Sequence, residues 1–232
     1  MSGNTIRPPQ RADQGRQPDK TQVDPQPWQE RAQERPVATS ARATVRLGWG
    51  MIGVVAAFDR DSFTSHHYDF LLAKNGPVAM FWKLSVLAEA TEWLQSRGYE
   101  LVTLDASRWT SAAEMHLEIA SALDFPSHYG ANLAALDDCL GEVVTYDRAA
   151  SEEAEGFVLV LVNFDTFLGR VPKTAHALVD IYAAQARSGA LIGHRMLCLV
   201  QSNDPDLRIE AVGGFSVPWN PAEWLDATRH PN

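Results

Sequence analysis

Phe125-Pro126-Ser127-His128-Tyr129-Gly130-Ala131-Asn132-Leu133-Ala134-Ala135-Leu136-Asp137-Asp138-Cys139-Leu140 reads as a loop that feeds a helix. Pro126 and Gly130 interrupt the helical pattern before them, and Asn132 has the side chain of an N-cap. At 3.6 residues per turn, Leu133, Leu136, Leu140, Val143 and Val144 fall on one side and are expected to face a core. Ala134 and Asp138 fall opposite, toward water, and Asp137 lies at the flank. A carboxylate thus projects from an early turn of a helix, beside a loop carrying an aromatic residue and a histidine.

The surrounding chain alternates strands with helices. Residues 99–104 (Tyr-Glu-Leu-Val-Thr-Leu) read as a strand. Ser111 and Glu114 have capping-box spacing ahead of a stripe of Met115, Ile119, Ala122 and Leu123, with His116 at its edge. That histidine is either a pH-sensitive contact or a packed core-edge residue. Residues 157–163 (Phe-Val-Leu-Val-Leu-Val-Asn) form an almost unbroken apolar run, the pattern of a strand buried on both faces of a parallel sheet. Pro172 opens a helix with Leu178, Ile181, Tyr182 and Gln185 in register, and residues 195–200 supply a third strand. Such alternation implies βαβ crossovers and a parallel sheet. Upstream, Gly76-Pro77 marks a turn, residues 78–82 a buried strand, residues 86–97 a helix and Gly98 its stop. That unit is expected to pack on the same sheet. The last stretch suggests a short strand near Ile209 and a helix over 222–228, with its tryptophans covering a sheet edge.

The loop and helix of the opening stretch closely resemble the signature of the barstar family, intracellular inhibitors of the ribonuclease barnase. Pro126, Tyr129, Gly130, Asn132, Leu133, Ala135, Leu136, Asp138, Cys139 and Leu140 match its pattern without a gap, and the resemblance spans about residues 99–202. It implies a barstar-like α/β fold: a parallel three-stranded core sheet with helices, extended here by an N-terminal βα unit and a C-terminal extension. It also implies inhibition by occlusion, with Asp138 imitating an RNA phosphate before the enzyme's cationic groups. The implied partner-binding residues are His128, Tyr129, Gly130, Asn132, Asp137 and Asp138. The chain departs from the family pattern at four places. His128 stands for a loop tyrosine, Ala134 for a second interfacial aspartate, Asp137 for a tryptophan, and Ala184 approximately for a glutamate of the later helix. Of three acidic contacts, Asp138 alone remains, so the target expected is a ribonuclease or toxin other than a barnase-like enzyme, or one held by a weaker contact.

Charge agrees in sign with a basic partner. Residues 1–46 hold 8 Lys+Arg against 5 Asp+Glu, a net of +3; residues 47–232 hold 12 against 24, a net of −12, within a total of −9. An acidic body repels nucleic acid and attracts cationic proteins, although a soluble acidic protein needs no such explanation. The first 44 residues, rich in Gln, Pro, Arg and Ala, bury too little to offset their chain entropy and read as a disordered tail. Pro25-Gln26-Pro27-Trp28 could be a docking element within it, and Met51 an alternative start. The expected organisation is a tail at 1–44, an N-terminal extension at 45–98, a barstar-like domain at 99–202 and a C-terminal extension at 203–232. No apolar run reaches membrane-spanning length, and no basic-then-apolar leader opens the chain. A monomeric cytoplasmic protein with Cys139 and Cys198 as reduced, buried thiols is expected.

Other chemistries are weaker. Gly48-Trp49-Gly50-Met51-Ile52-Gly53 matches G-x-G-x-x-G, but neither a buried strand precedes it nor a full crossover helix follows, so a small-residue turn fits better than a dinucleotide site. His66, His67 and Asp69 near Asp61 are the one short polar cluster, better read as a surface loop or helix start than as metal ligands. The acids Glu152, Glu153 and Glu155 read as a solvated loop, or as a second acidic surface for a basic partner. No nucleophile elbow, phosphate-loop lysine or His-Glu-x-x-His occurs. Asp137 and Asp138 point in different directions on a helix, a poor geometry for an acid and a base on one substrate. No catalytic residue, metal or cofactor is therefore expected. The function expected is inhibition of a basic, extracellular-type ribonuclease or nuclease toxin by stoichiometric binding, without nucleic acid or membrane as partner. The alternatives are a scaffold module that kept the fold and changed partner, and a nucleotide-using protein built on the Gly48–Gly53 turn.

Overall fold

The apolar run at 157–162 lies inside a parallel sheet, covered on both faces, because no residue in it has a polar side to turn to water. In the computed structural model, which describes residues 67–145, 149, 151 and 153–230, this strand is β3 (Gly156–Val162), flanked by β2 (Tyr99–Asp105) and β4 (Met196–Gln201). A fourth strand, β1 (Val78–Phe81), pairs with the other side of β4, giving the order β1-β4-β3-β2 with every pair parallel. The three-stranded sheet expected from the sequence is thus a four-stranded one. Val78, Ala79, Met80 and Phe81 are all buried, and four consecutive apolar residues after the Gly76-Pro77 turn find their cover by hydrogen-bonding into the sheet rather than packing over it.

Helices cover both faces. On one, α1 (Tyr68–Ala73) and α2 (Leu84–Ser96) bury Leu72, Leu87, Ala90 and Leu94 against Phe81, Val158, Val160, Leu197 and Leu199. Gly98 ends this layer with φ +87, a left-handed turn that favours glycine. On the other face lie α3 (Ala112–Ala122), α4 (Leu133–Val144), α5 (Phe164–Arg170) and α6 (Pro172–Leu191), packed on Phe157, Leu159, Leu161, Cys198 and Val200. Ser111 caps α3 through the Glu114 amide at 3.3 Å, while the Glu114 carboxylate reaches back to the Thr110 amide at 2.5 Å. Cys139 and Cys198 are buried thiols, not joined in a disulfide, as expected.

The C-terminal segment differs from its expectation. No strand forms at Ile209; the chain instead makes one bridge, Val212 to Phe215, around Gly213-Gly214. The final helix, α7 (Asp226–Arg229), is shorter than expected, because Glu223 is held by the sheet. Its buried carboxylate accepts the Trp82 amide at 2.9 Å and the Lys83 amide at 3.0 Å. Residues 218–220 run along the free edge of β1, with the Met80 amide donating to Pro218 and the Asn220 amide to Met80, both at 2.8 Å. An exposed edge strand is a template for association, and this one is covered by the chain itself. Trp219 takes part in that cover, whereas Trp224 is two-thirds exposed.

Candidate functional site

The site residues lie between the end of α3 and the first turns of α4. Leu123 ends α3, and Asp124 adopts φ +51 so that the Phe125 amide reaches back to the Ala120 carbonyl at 2.8 Å, a Schellman closure with an aspartate in the place glycine usually takes. Tyr129 donates its amide to Pro126 at 2.8 Å, closing a turn over Ser127-His128. Ala131 then takes φ +46, and Asn132 caps α4 by accepting the Ala135 amide at 3.0 Å. The Asn132 side-chain amide also donates to the Gly130 carbonyl at 3.1 Å. A Cβ on Gly130 would stand 2.9 Å from that same Nδ2 atom. Gly130 and Asn132 therefore shape the loop, and both ends of the Asn132 side chain are engaged in doing so.

Tyr129 turns inward. Its hydroxyl lies 2.5 Å from Nδ1 of His116, and its ring packs edge-on against Phe125 with centroids 5.0 Å apart. Burial pushes the Tyr129 hydroxyl up to about 12 and lowers the pKa of the almost fully buried His116. The neutral imidazole is thus favoured, hydrogen-bonded through Nδ1 to the tyrosine hydroxyl. His116 is the loop's internal support, a role that sequence position at the edge of the α3 stripe only hinted at.

The two aspartates part company. The Asp137 carboxylate accepts the Gln185 side-chain amide at 2.7 Å, which also reaches the Asp137 carbonyl at 3.3 Å, joining α4 to α6. Asp138 is exposed, and among the described residues its carboxylate makes no hydrogen bond or ion pair. His128 is likewise exposed at the loop tip. Of the six expected site residues, then, Tyr129, Gly130, Asn132 and Asp137 are tied into the framework that holds His128 and Asp138 out to solvent. Leu133, expected in the core, is 39% exposed. Leu136, Leu140 and Val143 are fully buried one or more turns later.

The C-terminal segment borders this region. The Gly213 amide donates to Asp180 at 2.7 Å, and Arg187 donates to the Gly213 carbonyl at 3.1 Å. Gly213 has φ +55, and a Cβ there would come within 2.9 Å of the Ala183 methyl. The chain therefore crosses α6 at Ala183-Ala184 by a glycine-only close approach. It leaves Asp138 open.

Residues 99–201 match the model of the family described as Barstar (barnase inhibitor). Over those residues the chain is similar to the barstar family. The barstar-like match begins at the first residue of β2 and ends at the last of β4, so it takes in three strands, α3 to α6 and every residue of the site. It leaves out β1, although β1 is hydrogen-bonded to the barstar-like β4. No curated protein matches the chain.

Elsewhere, the stretch read as a surface loop or helix start opens α1 at Tyr68. Asp69 is not a surface ligand but a buried carboxylate, 4% exposed, accepting the Tyr99 hydroxyl at 2.7 Å and facing Arg195 at 3.6 Å. No metal-binding group of His, Cys, Asp or Glu occurs among the described residues; His66, Asp61 and the Gly48–Gly53 turn lie outside them. In open α/β sheets ligands bind where strand order reverses, beyond the carboxyl ends of the strands. That position, between β1 and β4, is filled by Glu223 on the Trp82 and Lys83 amides and by Gln201, which donates to the Trp82 carbonyl at 3.1 Å. Among the described residues no helix is long and apolar enough to cross a membrane.

Proposed function

We propose that the barstar-like segment inhibits a ribonuclease by occluding its active site with the 124–132 loop and the first turns of α4. The observation that carries this reading is the state of Asp138: an exposed carboxylate without a partner, on a helix whose neighbouring polar groups are engaged in holding it. A preorganised acid facing the cationic groups of a phosphate-cleaving enzyme gains charge-assisted hydrogen bonds, and little ordering entropy is lost because the loop is already closed. The net charge of −12 over residues 47–232 favours approach to a basic, extracellular-type ribonuclease or nuclease toxin. The protein acts in this reading as a cytoplasmic monomer in a one-to-one complex, without a cofactor, and His128, Tyr129, Gly130, Asn132, Asp137 and Asp138 form or support the contact.

The test is protection of RNA from a panel of small basic ribonucleases by the full chain and by Asp138→Ala. Inhibition lost in the variant supports the reading; absence of inhibition across the panel rejects it. One observation favours a second reading, a binding module with a changed partner: the C-terminal chain crosses α6 beside Ala184, adding a surface outside the barstar-like segment. A protein retained by the full chain, but lost on deleting residues 203–232 and not on Asp138→Ala, would support it.

A further inference from the structure

The two edge strands of the sheet differ in what they offer another chain. β2 carries Glu100 and Asp105 and turns Thr103 to solvent, and charge on an edge strand opposes pairing with a second sheet. β1 is Val-Ala-Met-Phe, without a charged residue and buried throughout. Its outer side needs a cover, and the chain supplies one from outside the barstar-like segment, a strap formed by residues 214–230.

The strap meets the β1 backbone at one residue. The Met80 amide donates to the Pro218 carbonyl and the Met80 carbonyl accepts the Asn220 amide, both at 2.8 Å, with the Asn220 side-chain amide joining at 3.1 Å. The rest of the hold comes from two buried charged side chains. Glu223, 2% exposed, accepts the Trp82 and Lys83 amides just beyond β1, and the Asn220 side-chain amide at 2.6 Å. Arg229, 5% exposed, donates to the Pro205 carbonyl at 2.9 Å and lies over the Trp219 ring, 4.5 Å from its centroid. A cover pinned in this way, rather than zipped along a ladder, opens without the sheet opening, because local opening breaks only the contacts of the part that moves. The strap's own outer side is a poor template for a further strand. Pro218 and Pro221 have no N–H and the Asn220 amide is given to Met80, so over residues 218–221 only the Trp219 amide is left.

We propose that the strap keeps the chain from associating, and that with the strap lifted the β1 edge pairs with the β1 edge of a second copy. Identical edges related by a two-fold axis perpendicular to the sheet run antiparallel, and two four-stranded sheets then join into one. The Met80 amide and carbonyl pass from Pro218 and Asn220 to the second copy. The β1 edge lies outside the barstar-like segment, so this device does not rest on the ribonuclease reading.

Hydrogen exchange in the wild-type full chain tests whether the strap opens alone. The Met80 amide is expected to be protected at least about tenfold less than the Cys198 amide, which donates to the Pro77 carbonyl at 2.8 Å where β4 meets the start of β1. Equal protection means that the strap opens only with the sheet, and overturns the proposal. Light scattering from about 5 to 500 µM then compares the wild type with Glu223→Ala and Arg229→Ala, with circular dichroism confirming that each is folded. The wild type is expected to stay monomeric. Each variant is expected to form dimers whose fraction rises with concentration, in which the Met80 amide is protected again, and an excess of a synthetic peptide of residues 214–230 is expected to return them to monomers. Folded variants that stay monomeric, or that associate with the Met80 amide still exchanging fast, overturn the proposal, as does a wild type that associates as readily as they do. Arg229→Ala leaves the Trp82 and Lys83 amides bonded to Glu223, so it serves where Glu223→Ala does not fold; should neither fold, the wild-type exchange comparison decides.

Discussion

The Tyr129 hydroxyl and Nδ1 of His116 lie 2.5 Å apart beneath the loop that presents His128. The pairing joins loop conformation to the protonation of one buried imidazole. Burial lowers the pKa of His116 below its ordinary 6.5, so the unfolded chain takes up a proton that the native state resists. The contribution to stability is full above pH 6.5 and declines as pH falls through 6.5 toward the lowered native value. His194, buried against the Val144 carbonyl at 2.9 Å, is shifted the same way. Urea unfolding at pH 7.5 and 5.5 should show lower stability at the acid end, with the difference reduced in His116→Gln. An unchanged difference in that variant would show that the imidazole is not the group responsible.

Asp137 and Asp138 are adjacent in sequence and opposite in role. Asp137→Ala removes the Gln185 bond between α4 and α6 and is expected to cost about 1 kcal/mol of stability, with inhibition of a target ribonuclease almost unchanged. Asp138→Ala is expected to leave the melting temperature unchanged and to weaken inhibition by about ten- to a hundredfold, the loss for a charged hydrogen bond. Calorimetry beside an inhibition assay separates the two, and a reversed pattern would exchange their assignments.

Ala131 holds φ +46 ahead of the α4 cap. A residue with a Cβ strains there by about 1–2 kcal/mol, while glycine costs more chain entropy on folding. Ala131→Gly is expected to stabilise the protein by about 0.5 kcal/mol, read as a small increase in the urea midpoint. A decrease would mean that the loop relaxes the strain by other means.

The barstar-like segment is expected not to fold as an isolated fragment. The sheet face bearing Val158, Val160, Leu197 and Leu199 is covered by Leu72, Leu87, Ala90 and Leu94, all upstream of residue 99. Asp69 also faces Arg195 and Tyr99 from α1. A 99–202 fragment should show poor solubility or no cooperative unfolding. In the full chain, Asp69→Ala should cost about 2–3 kcal/mol, below the range for a fully buried pair because Arg195 keeps 21% of its side chain exposed. A soluble, cooperatively unfolding fragment would show the upstream unit to be dispensable.

Much of the fold was legible in the sequence because its signals are local. The unbroken apolar run at 157–162 announced a doubly covered strand, Gly98 a left-handed stop and Asn132 a cap, each set by the conformational preference of one short stretch. The outward direction of Asp138 was legible too, since helical periodicity fixes direction once the cap is placed. Which side chains are already engaged was not. Gln185 lies 48 residues from Asp137, and Glu223 lies 141 from Trp82; no periodicity relates them. Leu133 has the right direction for the core and lacks a neighbour to cover it, and Val78–Phe81 joins the sheet because the β4 edge is free to accept it. Local preference along the chain is enough to set the elements and the direction of the acid; which polar groups satisfy one another, and which are left for a partner, is settled by folding, because hydrogen bonding between distant residues depends on the three-dimensional meeting of surfaces.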